Sequence, residues 1–165
     1  MKKWIPILIL ALAQFVMVLD GTVMNVSIST VASDLGTTIT GMQTAITVFT
    51  LTMAAFMLTG GKLGDILGRQ RAFRIGGVIY GIGSLTTALA PTLGVLFLGW
   101  SIIEGLGAVL VIPAIASLAA ANYKGKDRVV AFSILGMAIG LATALGPVIG
   151  GYVTTYLSWR YVFAA

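Results

Sequence analysis

Two acidic residues lie inside apolar stretches of the sequence, where a carboxyl group is costly to place. Asp20 lies in the run from Ile5 to Val31, which holds no other charged residue, and Glu104 is the other acid well inside an apolar run. An aspartate at the centre of a membrane helix costs roughly 2.5–3.5 kcal/mol, so such groups usually mark a path for a proton, ion or substrate. Asp20 is therefore predicted to be a proton or substrate-cation site. Glu104 is the second candidate, with a hydrogen-bonded structural role as the alternative.

The composition indicates a membrane protein and excludes several kinds of chemistry. Of the 165 residues, 58% are hydrophobic and 9% are charged, which is too little polarity for a soluble globule of this length. Cysteine and histidine are absent, which excludes disulfides, thiolate or imidazole metal ligands and histidine acid–base catalysis. The sequence contains no phosphate-binding loop of the G-x-x-x-x-G-K-[ST] type. We therefore expect no enzyme activity, no metal and no cofactor.

Five apolar stretches are long enough to position these acids within a bilayer, which a helix of about 20 residues can cross. Their approximate ranges are 5–31, 39–60, 75–91, 94–121 and 129–157. The segments 61–74 and 122–128 are predicted to be loops on one side of the membrane. The whole chain, residues 1–165, is predicted to form a single all-α bundle of transmembrane helices.

The basic residues define the expected orientation of these helices. If the spans alternate in direction, nine of the ten lysines and arginines lie on one side and only Arg160 lies on the other. The positive-inside rule then places the N-terminus in the cytoplasm. The clusters are short and have no interleaved aromatic residues, so the net charge of +5 does not indicate a nucleic-acid partner. A secretory signal ending near Ala11-Leu12-Ala13 is an alternative, but the apolar run continues well beyond the length of such a signal.

Polar and small residues follow regular spacings on the predicted helices. Gln14, Asn25 and Ser29 share one arc of the first span, which we expect to be shielded from lipid. A threonine-rich stripe on the second span, from Thr40 to Thr50, either lines an aqueous cavity or bonds to its own helix carbonyls. In the third span, the pair Gly77 and Gly81 predicts close helix packing.

The last span carries the most regular pattern of small residues. It consists of Gly136, Gly140, Ala144, Pro147 and Gly151. The stripe predicts that another helix lies against it. Pro147 removes a backbone donor and predicts a bend about two-thirds along the span.

The loop between the second and third spans points to a known family. It reads Gly61-Lys62-Leu63-Gly64-Asp65-Ile66-Leu67-Gly68-Arg69-Gln70-Arg71. This stretch resembles the signature loop of the major facilitator superfamily, G-x-L-[AG]-D-[RK]-x-G-[RK]-[RK]. The resemblance implies that the cytoplasmic signature loop, formed by Gly61, Gly64, Asp65, Gly68, Arg69 and Arg71, stabilises one conformation, with Asp65 and Arg69 as the latch.

Two further motifs resemble those of the multidrug:proton antiporter branch, whose members typically have fourteen spans. Leu19 to Ser27 is similar to the first-span motif, and Gly140 to Gly151 is similar to the antiporter motif of span five. The resemblance implies the N-terminal bundle of an alternating-access transporter driven by a proton gradient. The implied site consists of Asp20, Asn25 and Glu104. The implied antiporter motif residues are Gly140, Gly146, Pro147, Gly150 and Gly151, with Gly146-Pro147 as the bending element.

Two positions depart from the family pattern. Ser101 stands where the fourth-span motif usually has an arginine, and Glu104 stands where glutamine is common. The proton-relay role of that arginine is therefore not transferred to this chain, and Glu104 is expected to be a second titrating site. In the loop, Ile66 replaces a basic residue, which removes one expected charge contact.

The leading hypothesis is a proton-coupled exporter of small amphipathic or cationic compounds in the cell membrane, with the lipid bilayer and the substrate as its partners. The alternatives are a superfamily transporter of a sugar, metabolite or peptide, and a non-transporting remnant or assembly partner. Five spans do not supply two bundles. We therefore expect that this chain does not transport alone, and that transport needs a missing C-terminal half or further subunits.

Overall fold

The computed structural model describes residues 2–164, so the two ends of the predicted bundle, Met1 and Ala165, lie outside the described residues. A short 3-10 turn, Lys2–Trp4, precedes the first helix. The helices are α1 (Ile5–Val26), α2 (Ile28–Asp34), α3 (Ile39–Leu67), α4 (Arg69–Ala88), α5 (Leu93–Leu96), a π-helical segment (Phe97–Glu104), α6 (Gly105–Asn122), α7 (Gly125–Tyr156) and α8 (Arg160–Ala164). Residues 2–164 contain helices and no strand, which confirms the all-α prediction.

Among residues 2–164, four helices are long and apolar enough to cross a membrane. They are Ile5–Val26, Ile39–Leu67, Leu93–Asn122 and Gly125–Tyr156, where Leu93–Asn122 comprises α5, the π-helical segment and α6. The predicted third span, 75–91, lies mostly within α4, whose first turns carry three arginines. These charges lower the mean hydropathy of α4, and the count of five spans stays a prediction.

The helices extend further than the predicted spans. Residues 61–67 complete α3 and residues 69–74 begin α4, so the segment predicted as a loop over 61–74 is helical except at Gly68. The apolar pattern marks where a helix leaves the bilayer, but the backbone can keep its helical hydrogen bonds beyond that point. Gly68 has φ of +88°, a conformation that favours glycine, and it reverses the chain between the two helices.

The glycines that allow close helix packing lie on a different face of α7 from the stripe predicted from the sequence. A Cβ at Gly146 would meet the side chain of Thr22, and Gly150 faces Val23, so α7 packs along α1. By contrast, Gly136, Gly140 and Gly151 have no heavy atom within 4 Å of such a Cβ. The predicted helix against that stripe is therefore not found among the described residues. Helix α7 instead turns the adjacent face, from Ala131 to Gly150, towards its neighbours.

The same shift of face occurs in α4. Gly77 and Gly81 have open surroundings, so the predicted close contact at this pair is not found within residues 2–164. The contact is made by Gly76, where a Cβ would lie 2.9 Å from the carbonyl oxygen of Gly107, and by Gly83 against the π-helical segment. The spacing within each pair suits helix packing. In the structure, Gly76 and Gly83 lie on the buried face of α4, together with Tyr80.

Charged residues lie at the two ends of the bundle. At one end, Lys3 forms an ion pair with Asp127 at 2.5 Å. The Tyr123 hydroxyl donates to the carbonyl oxygen of Lys3 at 2.8 Å. At the other end, Arg160 pairs with Asp34. Between these ends, Asp20 and Glu104 are buried inside the bundle.

Candidate functional site

Asp20 is buried in the bundle and is held by two donors from different helices. Its carboxyl group is 5% exposed. The Tyr80 hydroxyl of α4 donates to Asp20 Oδ2 at 2.8 Å, and the indole Nε1–H of Trp100 donates to the same oxygen at 3.1 Å. Helices α1 and α4 and the π-helical segment therefore meet at one carboxyl oxygen. Two convergent donors suit a negatively charged carboxylate.

Glu104 lies beside Asp20 at the end of the π-helical segment. Its side chain is 0% exposed. The Thr87 hydroxyl is 3.3 Å from Glu104 Oε1, while Oε2 has no hydrogen-bond partner among residues 2–164. Glu104 follows Trp100 by four residues in the π-helical segment, and a Cβ at Gly83, three residues after Tyr80, would lie 2.6 Å from Glu104 Cγ. The two acids predicted from the sequence are therefore both buried next to the helix faces that carry Tyr80 and Trp100.

The π-helical segment places two of the site's residues. Trp100 and Glu104 both belong to it, and a π-helix within a longer helix is rare and is often found at functional sites. Phe49 of α3 stacks on Trp100, with ring centroids 4.7 Å apart and planes inclined by 10°. Ser101, which replaces the family arginine, is also buried and donates to the carbonyl oxygen of Ala45 at 2.8 Å.

An open groove connects Asp20 with the outside of the bundle. It has a volume of about 500 Å³ and lies between α1, α4 and α8. Asp20, Tyr80, Ser84 and Phe163 are among its lining residues, and Glu104 is not. The groove therefore gives Asp20 a path for exchange with molecules outside the protein.

Asn25 is not brought into this site. Its side chain is exposed, and its Nδ2 group donates to the carbonyl oxygen of Gly21 at 2.7 Å. Ser29, on the same predicted arc, is also exposed within the described residues. On α3, Thr47 and Thr50 donate to the carbonyl oxygens four residues earlier, which is the back-bonding alternative named above.

The family signature segment forms a compact turn at the end where Lys3 and Asp127 lie. Arg69 Nη2 is 3.8 Å from Asp65 Oδ1, and Arg69 Nη1 donates to the carbonyl oxygen of Ser117 at 3.3 Å. Arg69 therefore links the junction of α3 and α4 to α6. The other signature residues surround this link. Gly64 is buried, and a Cβ added to it would lie 3.7 Å from the Cβ of Ala72. Gly61 and Arg71 lie on either side of it in the sequence.

A second polar cluster fixes the opposite end. Asp34 accepts hydrogen bonds from the Trp159 indole at 3.0 Å and from Arg160. Arg160 also donates to the carbonyl oxygen of Ala90 at 2.9 Å. The Trp159 hydrogen bond, followed by the contribution of Arg160, holds the pKa of Asp34 below its ordinary value of 3.8. The cluster therefore joins α2, α8 and the segment after α4.

The residues of the predicted antiporter motif divide between two faces of α7. Gly146 and Gly150 are packed against Thr22 and Val23 of α1, within one turn of Asp20. Gly140 and Pro147 are exposed, and Gly151 is partly exposed. Helix α7 is continuous through Pro147. The bend expected there stays a prediction.

Tyr80 and Trp100 are site residues that sequence reasoning missed. Both lie in apolar stretches where their polar atoms would need a partner if buried. This need for a hydrogen-bond acceptor could have linked Tyr80 and Trp100 to the site, because a buried carboxyl group is the strongest acceptor in such surroundings. The residue spacing does not indicate which acid each one contacts.

The chain belongs to the major facilitator superfamily, whose family model matches residues 10–165. The fold and the signature segment are consistent with this assignment. Membership of this superfamily makes the chain part of a transport protein class rather than an enzyme class.

Several relatives carry names that refer to drug resistance or transport. The chain is 35% identical over 160 residues to the puromycin resistance protein of Streptomyces alboniger, covering 97% of this chain and 32% of the relative. It is 31% identical over 166 residues to a riboflavin transporter of Clostridioides difficile, covering 98% and 35%. It is 31% identical over 160 residues to a probable multidrug resistance protein, EmrY, of Escherichia coli, covering 97% and 31%. The chain thus spans about a third of the length of these relatives.

Proposed function

We propose that this chain is the N-terminal bundle of a proton-coupled exporter of small amphipathic or cationic compounds. The observation that carries the proposal is the Asp20 carboxyl group, which is 5% exposed and held by Tyr80 and Trp100. Glu104 is also buried, and neither acid takes part in the ion pairs found among residues 2–164. Such a centre favours protons or cations over anions.

The remaining predicted residues have supporting roles in this proposal. Asp65 and Arg69 act as a latch on the cytoplasmic side, and Gly146-Pro147 bends α7 as the bundle rocks. The N-terminus is cytoplasmic, because nine of the ten basic residues then lie on the inner side of the plasma membrane. Helix α4 forms the third of five spans. Asn25 is proposed to contact substrate, since its side chain is exposed on α1.

A second candidate is the transport of a different solute. It is favoured by the relative that is named a riboflavin transporter, which is 31% identical over 98% of this chain. The bundle supplies the proton site in either case. Because the chain covers about a third of its relatives, the proposed transport uses further helices, and these contribute to the choice of substrate.

A chimaera tests the proposal. This chain would replace the matching third of the puromycin resistance protein, and bacteria producing the chimaera would be grown on puromycin with and without a protonophore. We expect resistance that disappears when the proton gradient is collapsed, because the proton site of this chain drives the exchange.

The control is the unmodified relative at the same level in the membrane. A chimaera that reaches the membrane but gives no resistance, while the control protects the cells, would contradict the proposed function. Resistance that is unaffected by a protonophore would contradict proton coupling.

A further inference from the structure

Glu104 lacks the hydrogen bonds that an ionised carboxylate would need. Its side chain is 0% exposed, and Oε2 has no partner within the part of the chain that the structure describes. Burying a charge without compensating donors costs far more than burying a neutral polar group. The surroundings of Glu104 therefore fit the neutral acid.

Thr87 does not remove this deficit. Its hydroxyl lies 2.8 Å from the carbonyl oxygen of Gly83 and 3.3 Å from Glu104 Oε1. A hydroxyl has one proton to donate, and the shorter contact to Gly83 takes it. Neither oxygen of an ionised Glu104 would then accept a strong hydrogen bond. A neutral Glu104 can instead donate its own proton.

Asp20 has the opposite surroundings. Its Oδ2 atom accepts from the Tyr80 hydroxyl and from the Trp100 indole, and both donors come from groups that stay neutral in this setting. Glu104 lies four residues after Trp100, and its Cγ would lie 2.6 Å from a Cβ at Gly83, three residues after Tyr80, so it neighbours the two donors of Asp20. Two neighbouring buried carboxyl groups do not both ionise readily, so one proton between them resolves the repulsion.

We propose that Glu104 carries a resident proton and donates it in a hydrogen bond to ionised Asp20, so that the pair holds one proton and needs no arginine as counterion. The geometry that carries this assignment is the contrast between Oε2 of Glu104, which has no partner among residues 2–164, and Oδ2 of Asp20, which has two donors. This deepens the proposed function and rests on it for the use of the proton in transport.

The groups around the pair are compatible with this assignment. Tyr80 is the other titratable group facing it from α4, and α3 contributes the Phe49 ring that stacks on Trp100. Phe163 of α8 lies nearby through the groove. The ion pairs found in residues 2–164 involve Asp34, Asp65 and Asp127 at the ends of the bundle. Ser101 offers a hydroxyl where the family arginine would have placed a charge.

The arrangement also defines the path by which the proton is exchanged. Asp20 lines the open groove, whereas Glu104 does not. The Glu104 proton therefore passes to Asp20 before it leaves the protein. Tyr80 is a positioning residue in this step, because its hydroxyl holds Asp20 Oδ2 and lines the same groove.

Infrared difference spectroscopy of the purified chain, in a detergent without ester groups, tests the assignment. We expect one C=O stretching band of a protonated carboxylic acid at neutral pH. The band should be lost in Glu104→Gln, whose side-chain amide can still donate to Asp20. In Asp20→Asn the band should remain and move to higher wavenumber, because an amide oxygen is a weaker acceptor than a carboxylate.

The control is Asp127→Asn, which removes an exposed carboxyl and should leave the band unchanged. Absence of the band in the wild-type chain, or its survival in Glu104→Gln, would overturn the assignment. Loss in Asp20→Asn together with retention in Glu104→Gln would place the proton on Asp20 and also overturn it. Circular dichroism checks that each variant is helical. The readout requires no transport, so its failure is separate from a failure of the chimaera to give resistance.

Discussion

Replacing Asp20 with asparagine is expected to abolish proton-dependent resistance in the chimaera. The asparagine carbonyl oxygen can accept the hydrogen bonds from Tyr80 and Trp100, so the contacts between the three helices are retained. An amide does not take up a proton in the working pH range, and the driving step is therefore lost. Growth on puromycin should fall to that of cells without the chimaera, with the variant still present in the membrane.

The matched control for this substitution is Asp127→Asn. It makes the same change of carboxyl to amide at the exposed end of the bundle, where Asp127 pairs with Lys3. An exposed ion pair contributes at most about 1 kcal/mol, so resistance should be unchanged. Full resistance with Asp20→Asn would mean that transport is not coupled through this carboxyl. Equal loss in both variants would point to a general effect of removing a charge.

Replacing Gly107 with alanine is expected to destabilise the bundle strongly and to disturb the site from a distance. A Cβ at this position would lie 2.6 Å from the backbone nitrogen of Tyr80 and 2.8 Å from the carbonyl oxygen of Gly76. Both are backbone atoms, so a rotamer change cannot relieve the overlap. Overpacking of this kind costs about 1–3 kcal/mol. Helices α4 and α6 must then separate, which moves Tyr80 away from Asp20.

Gly77→Ala provides the comparison, because no heavy atom lies within 4 Å of the added Cβ. It should be neutral or stabilise the chain by up to about 1 kcal/mol, since alanine is a better helix former than glycine. Thermal unfolding of both variants in detergent measures the difference. A Gly107→Ala variant as stable as Gly77→Ala would show that α4 and α6 do not approach each other as described.

The sequence was sufficient to predict the helices and the two acids, because both follow from polarity alone. A carboxyl group such as Asp20 in a long apolar run is informative without any knowledge of its neighbours. The helix ends were less predictable. Residues 61–74 carry charges that end a membrane span, but their backbone stays helical apart from Gly68.

The contacts between helices within the bundle could not be predicted from the sequence alone. Both Gly77 and Gly76 lie in the glycine-rich stretch of α4, and only the rotation of the helix decides which one faces α6. The same rotation turns Tyr80 towards Asp20. The π-helical segment, which changes the direction of Trp100 and Glu104 relative to a regular helix, leaves no distinctive mark in the residue spacing.

The absence of the family arginine illustrates the same limit. The sequence showed that Ser101 stands in its place, and that Glu104 replaces a common glutamine. It did not show that Glu104 would be buried near Tyr80 and Trp100, or that its Oε2 atom would lack a donor among residues 2–164. The pairing depends on α1 and the π-helical segment being neighbours, which is a property of the folded bundle.

The central claim is that the Asp20–Glu104 pair holds an exchangeable proton in the apolar interior. An apolar carbodiimide reacts with protonated carboxyl groups, and peptide mass spectrometry can locate the label after treatment of the membrane-embedded chain over a range of pH. The account predicts labelling at Glu104 that falls as the pH is raised, with Asp65 and Asp127 unlabelled at neutral pH. If neither carboxyl of the pair is labelled at any pH, or if labelling does not depend on pH, the pair stays in one ionisation state and the account is contradicted.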